Sequence, residues 1–239
     1  NFLFGVRISS NGVVYIPDHN NHRVLRTGQS DPVAGAALAE ARDDRYNGDG
    51  IDAKLALLDG PSGIAVDAEG NVFIADSGNH IVRKVSTGGI ISTVAGTPTD
   101  NSLGLEGAAL EVGNGGPATS AVLNGPRAVA VDSARNLYIV DTIHQQVRKV
   151  DSSGNITVVA GVAGETGSND GAGSCPVPAG SCIAARLNDP RGVAVDGFGD
   201  VFIADAGNDR IRKVSGNVVT TIAAGALDAP TGVAIASDG

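Results

Sequence analysis

The sequence predicts an all-β protein made of repeated four-stranded antiparallel units. Glycine accounts for 34 of the 239 residues and aromatic residues for only 3%, a composition typical of many short strands joined by tight turns. Four segments of the chain align with one another, and each contains short β-branched stretches separated by Gly, Asn, Asp or Ser. These residues favour turns because they tolerate positive φ or bond to their own backbone. The turns leave no room for a crossover helix.

The aligned segments define a repeat of strand, turn, strand, turn, strand, turn and strand. In the second copy we expect strands at Ile64–Asp67, Val72–Asp76, Ile81–Val85 and Ile90–Ala95. Within a single domain, the repeats are predicted at 2–36, 60–97, 125–162 and 189–225, with a partial repeat at 229–239 and insertions at 37–59, 98–124 and 163–188. Such units cannot bury both faces alone, and radial stacking as blades around a central axis is the usual solution. The sequence therefore predicts a β-propeller.

The repeated string also carries a family resemblance. The pattern P-x-G-V-A-V-D-x-x-G-N-V-[YF]-I-A-D-x-x-N-[HD]-R-[IV]-R-K, followed by I-x-T-V-A-G, resembles the NHL-repeat family of β-propellers, especially its secreted bacterial members. A short motif, L-[ND]-x-P, introduces the later copies at Leu58–Pro61, Leu123–Pro126, Leu187–Pro190 and Leu227–Pro230. The resemblance implies that the first strand of each blade lines the axis and the fourth is outermost.

Four full repeats and one further strand do not complete a ring of the kind this family forms. The resemblance implies five to seven blades, most often six, so we expect the chain to be part of a larger ring. Two alternatives stay open. Another molecule could complete the strand at 231–237 by strand addition, or the four blades could close a tight ring.

Charge and hydropathy exclude two classes of protein. The chain carries 17 Lys and Arg residues against 26 Asp and Glu residues, a net charge of −9. Nucleic-acid binding relies on basic surfaces that neutralise phosphates, so we expect no nucleic-acid partner. No apolar run is long enough to cross a bilayer, so we also expect no membrane insertion.

The two cysteines indicate a compartment. Cys175 and Cys182 lie in a Gly/Pro/Ser-rich stretch where one disulfide could close a short loop, and two free thiols are the alternative. A disulfide favours an oxidising environment, so we expect an extracellular or periplasmic location.

Candidate binding residues lie on one face of the predicted propeller. Loops that leave the second and the fourth strand of an antiparallel blade emerge on the same side, here called the insertion-bearing face because every insertion follows a fourth strand. Long loops on a rigid scaffold are where binding usually occurs. The turns on this face contribute the candidates Asp18, His22, Asp76, His80, Asp141, His144, Asp205 and Asp209.

The acidic candidates have two interpretations. The Asp that recurs after each second strand could form a carboxylate ring for a cation, but we favour a structural role in which each carboxylate caps its own turn or pairs with an Arg of the blade. Separately, Asn47, Asp49 and Asp52 are candidate calcium ligands, although Arg45 occupies the first ligand position of the calcium-loop pattern. We therefore expect no cofactor, with calcium as the alternative.

The predicted inner strands argue against catalysis. They read as aliphatic triplets with one cationic residue, Arg7, and lack groups for acid–base or metal chemistry, so we predict no catalytic residue. The sequence favours a non-catalytic secreted or surface scaffold that binds a protein or glycan through the insertion-bearing face. One rival is a structural subunit that self-assembles by strand addition at the partial repeat. The other is a metal-dependent lyase or hydrolase whose site lies in blades outside this sequence.

Overall fold

The computed structural model describes residues 5–36, 46–98, 113–170, 185–216 and 218–236, and all structural statements below refer to these residues. They form four antiparallel sheets. Blade 1 holds β1 (Arg7–Ile8), β2 (Val14–Asp18) and β3 (Arg23–Arg26). Blade 2 holds β4 (Ile51–Asp52), β5 (Pro61–Val66), β6 (Val72–Asp76), β7 (Ile81–Val85) and β8 (Ile90–Ala95). Blade 3 holds β9 (Pro126–Val131), β10 (Leu137–Asp141), β11 (Gln146–Val150) and β12 (Ile156–Ala160). Blade 4 holds β13 (Pro190–Val195), β14 (Val201–Asp205), β15 (Arg210–Ser215) and β16 (Val218–Ala224).

The blades are arranged as a β-propeller, which confirms the predicted fold class. In blades 3 and 4 the strands pair in sequence order, and in blade 2 the same order holds from β5 to β8. Strand β5 contacts β9, and β9 contacts β13, so the first strands of successive blades lie side by side around the axis. This is the placement that the resemblance implied for the first strands.

The hydrophobic core lies between the blades. Alternate residues of a strand point to opposite faces of the sheet, so each central strand contributes to two interfaces. Phe73 belongs to the buried cluster that holds Leu137 of blade 3, whereas its neighbour Ile74 belongs to the cluster that holds Tyr15 and Val24 of blade 1. A similar cluster joins blades 3 and 4. Each blade is therefore stabilised mainly by its neighbours.

Parts of two insertions extend the sheets. Strand β4, inside the insertion at 37–59, pairs with β8 and becomes a fifth, outermost strand of blade 2. In the insertion at 98–124, Pro117 forms a bridge with Asn155, and the N–H of Gly115 donates to the carbonyl of Ile156 at 2.7 Å, at the outer edge of blade 3. These segments lie on the edge of the following blade, where the sequence analysis expected only loops.

The partial fifth repeat differs from the prediction of a strand at 231–237. Residues 231–236 form no strand, because among the described residues there is no second strand of that repeat to pair with them. They nevertheless pass close to blade 4, since a Cβ built at Gly192 would lie 2.9 Å from the Cα of Gly232. The segment thus begins where the inner strand of a next blade would begin.

Gly63 marks a close approach between two inner strands, and its substitution gives a first prediction. A Cβ built at Gly63 would lie 2.6 Å from both the Cα of Ala128 and the carbonyl oxygen of Arg127. We expect Gly63→Ala to push blades 2 and 3 apart and to lower the free energy of unfolding by about 1–3 kcal/mol in urea denaturation. Gly88→Ala is the control, because its Cβ would meet only the Ser86 hydroxyl at 3.7 Å. Equal losses in the two variants would contradict the prediction.

Candidate functional site at the axial mouth

An open cavity of about 810 Å³ lies at the axis on the insertion-bearing face. We call it the axial mouth. Its wall is formed by the beginnings of the inner strands, at residues 5–7, 62–64, 127–129 and 191–193, and by residues 231–233. Its rim is formed by turns that follow the second strands, including His19, Ser77 and Ile143. The cavity is therefore bounded by all four blades.

The Asp residues that end the second strands are turned into the protein. The Asp76 carboxylate accepts hydrogen bonds from the Asn79 side chain at 2.8 Å and from the backbone N–H of Asp59 at 2.7 Å. Asp205 accepts equivalent bonds from Asn208 at 2.9 Å and from the Asn188 N–H at 2.8 Å. These bonds close each turn and attach it to the motif that introduces its own blade.

The other two copies vary the same arrangement. In blade 3 the place of the Asn is taken by His144, a fully buried side chain whose Nδ1 lies 2.9 Å from the Asp141 carboxylate. In blade 1 Asp18 is partly exposed and accepts from Asn21 at 2.8 Å. Asp76, Asp141 and Asp205 are fully buried, so these carboxylates and His144 do not face the cavity solvent. These bonds engage each carboxylate within the protein, and the binding role of these candidates stays a prediction.

Buried arginines accompany these carboxylates in three blades. Arg83, Arg148 and Arg212 occupy equivalent positions and are each at most 1% exposed. In blade 4 the Arg212 Nε lies 2.9 Å from Asp205. Blade 1 has Leu25 at this position, and Arg23, two residues earlier, pairs with Asp18 at 3.0 Å. In blades 1 and 4 the carboxylate of the turn thus has an arginine partner, which comes from a different position in each blade.

Blade 2 differs in the partner of its arginine. The Arg83 Nη2 donates to the Gly48 carbonyl at 2.8 Å and to the Asp49 carboxylate at 3.0 Å, and its guanidinium lies 4.8 Å from the centre of the Tyr46 ring. Asp76 is therefore held by neutral donors. Burial raises the pKa of Asp76 to about 7, while the Asn79 and Asp59 hydrogen bonds and the charge of Arg83 oppose that rise.

The last residue of each turn connects its blade to the next. These residues have left-handed backbone conformations, with φ between 53° and 59°, and they are His22, His80, Gln145 and Asp209. Each side chain accepts a hydrogen bond from a backbone N–H in the L-[ND]-x-P motif that follows, donated by Gly60 at 3.0 Å, Gly125 at 3.0 Å, Asp189 at 2.6 Å and Ala229 at 2.8 Å respectively. We call them the inter-blade acceptors. The residues His, Gln and Asp can all accept a hydrogen bond. This shared property at one position of the repeat is visible in the sequence.

Substitution of His80 tests this role. His80→Leu removes the acceptor of the Gly125 N–H, and we expect it to lower the free energy of unfolding by about 1–3 kcal/mol. His80→Gln should retain most of the stability, because Gln145 performs the same task in blade 3. Urea denaturation of both variants measures the difference. Equal losses from Leu and Gln would show that the hydrogen bond is not what His80 contributes.

The candidate calcium ligands are each engaged by other groups of the protein. Asn47 accepts from the Leu57 N–H at 2.8 Å, Asp52 accepts from the Lys54 N–H at 2.9 Å, and Asp49 contacts Arg83 as described above. Within the described ranges, no group of three or more His, Cys, Asp or Glu side chains is placed to hold a metal ion. Calcium binding by this loop stays a prediction.

Two further predictions concern the cysteine pair and membrane insertion. Cys175 and Cys182 lie outside the described residues. In the part of the chain that the structure describes, no helix has both the length and the apolar character needed to span a membrane.

Arginine side chains line the axial mouth. Arg7, Arg127 and Arg191 contribute to it, and Asp59 is the one Asp or Glu among its described lining residues. Arg191 is paired with Asp189, with 2.8 Å between the Arg Nε and the carboxylate. The sequence analysis did not identify Arg127 or Arg191 as site residues. Both residues directly follow the Pro of the introducing motif, and this shared position is the sequence pattern that could have identified them.

Comparison with known sequences relates the first part of the chain to one domain type. The family model described as the teneurin NHL domain matches residues 4–106. Teneurin-3 of Danio rerio is 36% identical over 97 residues, which cover 36% of this chain and 4% of that protein. Teneurin-3 of Mus musculus is 27% identical over 278 residues, covering 86% of this chain and 10% of that protein. The chain spans a tenth or less of the length of these curated relatives.

Comparison with solved structures extends the likeness to nearly the whole chain. A chain in the crystal structure of a nidogen/laminin complex aligns with a TM-score of 0.59 and 18% identity, covering 98% of this chain and 69% of that one. Virginiamycin B lyase from Staphylococcus aureus aligns with a TM-score of 0.51 and 15% identity, covering 97% of this chain and 73% of that one. At these identities the likeness shows the fold alone. The repeated motif and the blades built from it show that this chain is a β-propeller, and the matching family model relates its residues 4–106 to the NHL type.

Proposed function

We propose that this propeller is a non-catalytic protein-interaction module that receives its partner at the axial mouth. The observation that carries the proposal is the open cavity of about 810 Å³ on the insertion-bearing face, bounded by rigid strand ends from every blade. Cavities of this size on a rigid scaffold are common binding sites.

The chemistry of the mouth favours a protein partner. Ile143 on the rim is 56% exposed and Val6 on the wall is 53% exposed, and both lie in the same cavity as three arginines. Apolar contact surface combined with Arg is typical of the energetically important part of protein interfaces. The likeness to teneurin NHL domains and to a propeller solved in a nidogen/laminin complex supports the same class of function. A glycan is the alternative partner, but Phe, Tyr and Trp are absent from the described lining.

The inner strands support a non-catalytic role. The wall residues Ile64, Val129 and Val193 carry aliphatic side chains, which pack in the hydrophobic clusters between the blades. Such side chains cannot transfer protons or ligate a metal, so the described wall is better suited to contact than to chemistry.

A photo-crosslinking experiment tests the proposal. Ile143 is replaced by the photoreactive residue p-benzoylphenylalanine, and Ile90 in β8, which is 46% exposed, receives the same replacement as a matched control. After irradiation in extracellular fluid of the source organism, we expect a discrete adduct at position 143 that excess unlabelled protein suppresses, and none at position 90. Equal adducts at both positions, or no adduct at 143, would overturn the proposal. An adduct with the mass of two copies would replace it with self-assembly.

We also propose an extracellular or periplasmic location, supported by the Cys175 and Cys182 pair in a short loop. Intact mass under denaturing, non-reducing conditions tests this. We expect a mass that rises by two protons on reduction, and an unchanged mass would contradict the proposed disulfide.

A further inference from the structure

We infer that the axial mouth recognises carboxylate groups, so that the partner presents an Asp- or Glu-containing loop to Arg7 and Arg127. This inference rests on the proposed function and adds the chemistry of the ligand.

The charge of the mouth is opposite to that of the chain. The whole protein has a net charge of −9, with 26 acidic residues against 17 basic ones. Among the described lining residues of the mouth, Arg7 and Arg127 stand against one acidic side chain, that of Asp59, while the charge of Arg191 is balanced by Asp189. A concave site lined by one sign of charge and backed by apolar walls concentrates the electrostatic potential at its opening. The mouth is therefore a local attractor for anionic groups on an otherwise acidic surface.

In the part of the chain that the structure describes, two of the three arginines have no carboxylate partner. Arg191 is engaged by Asp189, with 2.5 Å between the Arg Nη2 and the carboxylate. Within the described residues, no carboxylate lies at salt-bridge distance from Arg7 or Arg127, and both side chains are exposed. The Arg191 pair shows that a guanidinium at this position can hold a carboxylate, since its Nε and Nη2 both contact Oδ2 of Asp189. Arg127, in the equivalent position of blade 3, offers the same group to a ligand.

The backbone that carries Arg127 is held in place before any ligand binds. The buried Ser62 hydroxyl donates to the carbonyl of Arg127 at 2.8 Å, and the Ser77 hydroxyl donates to the carbonyl of Pro126 at 2.6 Å. Thr142 makes the corresponding bond to the carbonyl of Pro190 at 2.9 Å. Each bond comes from the preceding blade. Because the strand end is already fixed, less conformational entropy is lost when a ligand binds.

The dimensions and surroundings favour a protein loop over a polyanion. A cavity of about 810 Å³ accepts a loop tip with one or two acidic side chains, while a long polyanion would also meet the acidic remainder of the surface. The exposed aliphatic side chains of Val6 and Ile143 belong to the same cavity and provide apolar surface beside the arginines. These same side chains can contact an apolar residue next to the acid.

Binding of two synthetic peptides tests the inference. The first is the fluorescein-labelled pentapeptide Gly-Asp-Leu-Glu-Gly with blocked ends, and the second is its uncharged analogue Gly-Asn-Leu-Gln-Gly. Fluorescence anisotropy at low salt should show at least about tenfold tighter binding of the acidic peptide, the factor that corresponds to one good charged contact. Arg127→Glu should weaken the acidic peptide by at least about tenfold, and the double variant with Arg7→Glu should weaken it further.

Arg135→Glu is the matched control. It makes the same change in net charge at an exposed arginine on the turn between β9 and β10, on the opposite face. It should leave peptide binding unchanged. Equal affinity of the two peptides, no detectable binding of the acidic peptide, or equal weakening by Arg127→Glu and Arg135→Glu would each overturn the inference. Crosslinking at position 143 is scored separately, so a partner that binds there without preference for acid removes this inference and leaves the proposed function standing.

Discussion

The double variant Arg212→Leu, Arg210→Ala should lower the free energy of unfolding by about 3–5 kcal/mol, because it leaves the Asp205 carboxylate buried without a cationic partner. Asp205 and Arg212 are both inaccessible to solvent, with 2.9 Å between the carboxylate and the Nε. Arg212 also contacts Asp170 of the third insertion. Its loss therefore affects both the turn on the insertion-bearing face and the segment packed over it.

Arg212→Leu alone should cost less than the double variant. Arg210 occupies the position from which Arg23 pairs with Asp18 in blade 1, where Leu25 stands in place of the buried arginine. Arg210 is partly exposed and donates to the Ser168 carbonyl, so Arg210→Ala by itself should cost less than about 1 kcal/mol. Urea denaturation of all four proteins completes a double-mutant cycle. Additive losses would show that Arg210 does not replace Arg212.

Asp76→Asn should change how stability depends on pH. In the folded protein burial raises the pKa of Asp76 from 3.8 to about 7. Between these values the folded state keeps a proton that the unfolded chain has released, so the free energy of unfolding falls as the pH rises through this window. The slope from this group approaches roughly 1 kcal/mol per pH unit, and the Asn variant lacks it. The stability of the variant relative to the natural protein should therefore increase steadily with pH across the window.

The measurement is urea denaturation at several pH values for both proteins, with the difference taken at each pH so that other titrating groups cancel. Above the folded pKa the difference should become constant. Parallel curves from pH 4 to pH 7 would mean that Asp76 is ionised in the folded protein, with Arg83 turned toward it.

Local pattern predicted the central strands of the blades well. In blade 2 the predicted and observed bounds agree for β6, β7 and β8. The first strand begins at Pro61, three residues before the predicted start at Ile64. The residues between them contain a register shift and are held by the contact of Ser62 with blade 3. Pro, Ser and Gly resemble a turn in sequence, and only the neighbouring blade makes them part of a strand.

The remaining differences also arise from contacts between distant residues. Strand β4 has only two residues, too few for a period to be visible, and it exists because the edge of β8 accepts it. The recurring Asp was visible in the sequence, but whether Asp76 faced solvent or the interior depended on packing that no local pattern specifies. The arginines of the axial mouth, Arg127 and Arg191, come together only when their strands surround the axis.

The inter-blade acceptors favour assembly of the blades in the order in which they occur in the chain. His22 and β4 both precede strands β5 to β8 in the chain, yet both bind to the blade that these strands form. The N-terminal part of a protein leaves the ribosome first. The groups that bind a blade are therefore already present when that blade is synthesised. Refolding from denaturant offers no such order, and strands as similar as Val72–Asp76 and Val201–Asp205 can then dock in each other's places. We therefore expect synthesis to yield more native protein than renaturation of the same chain.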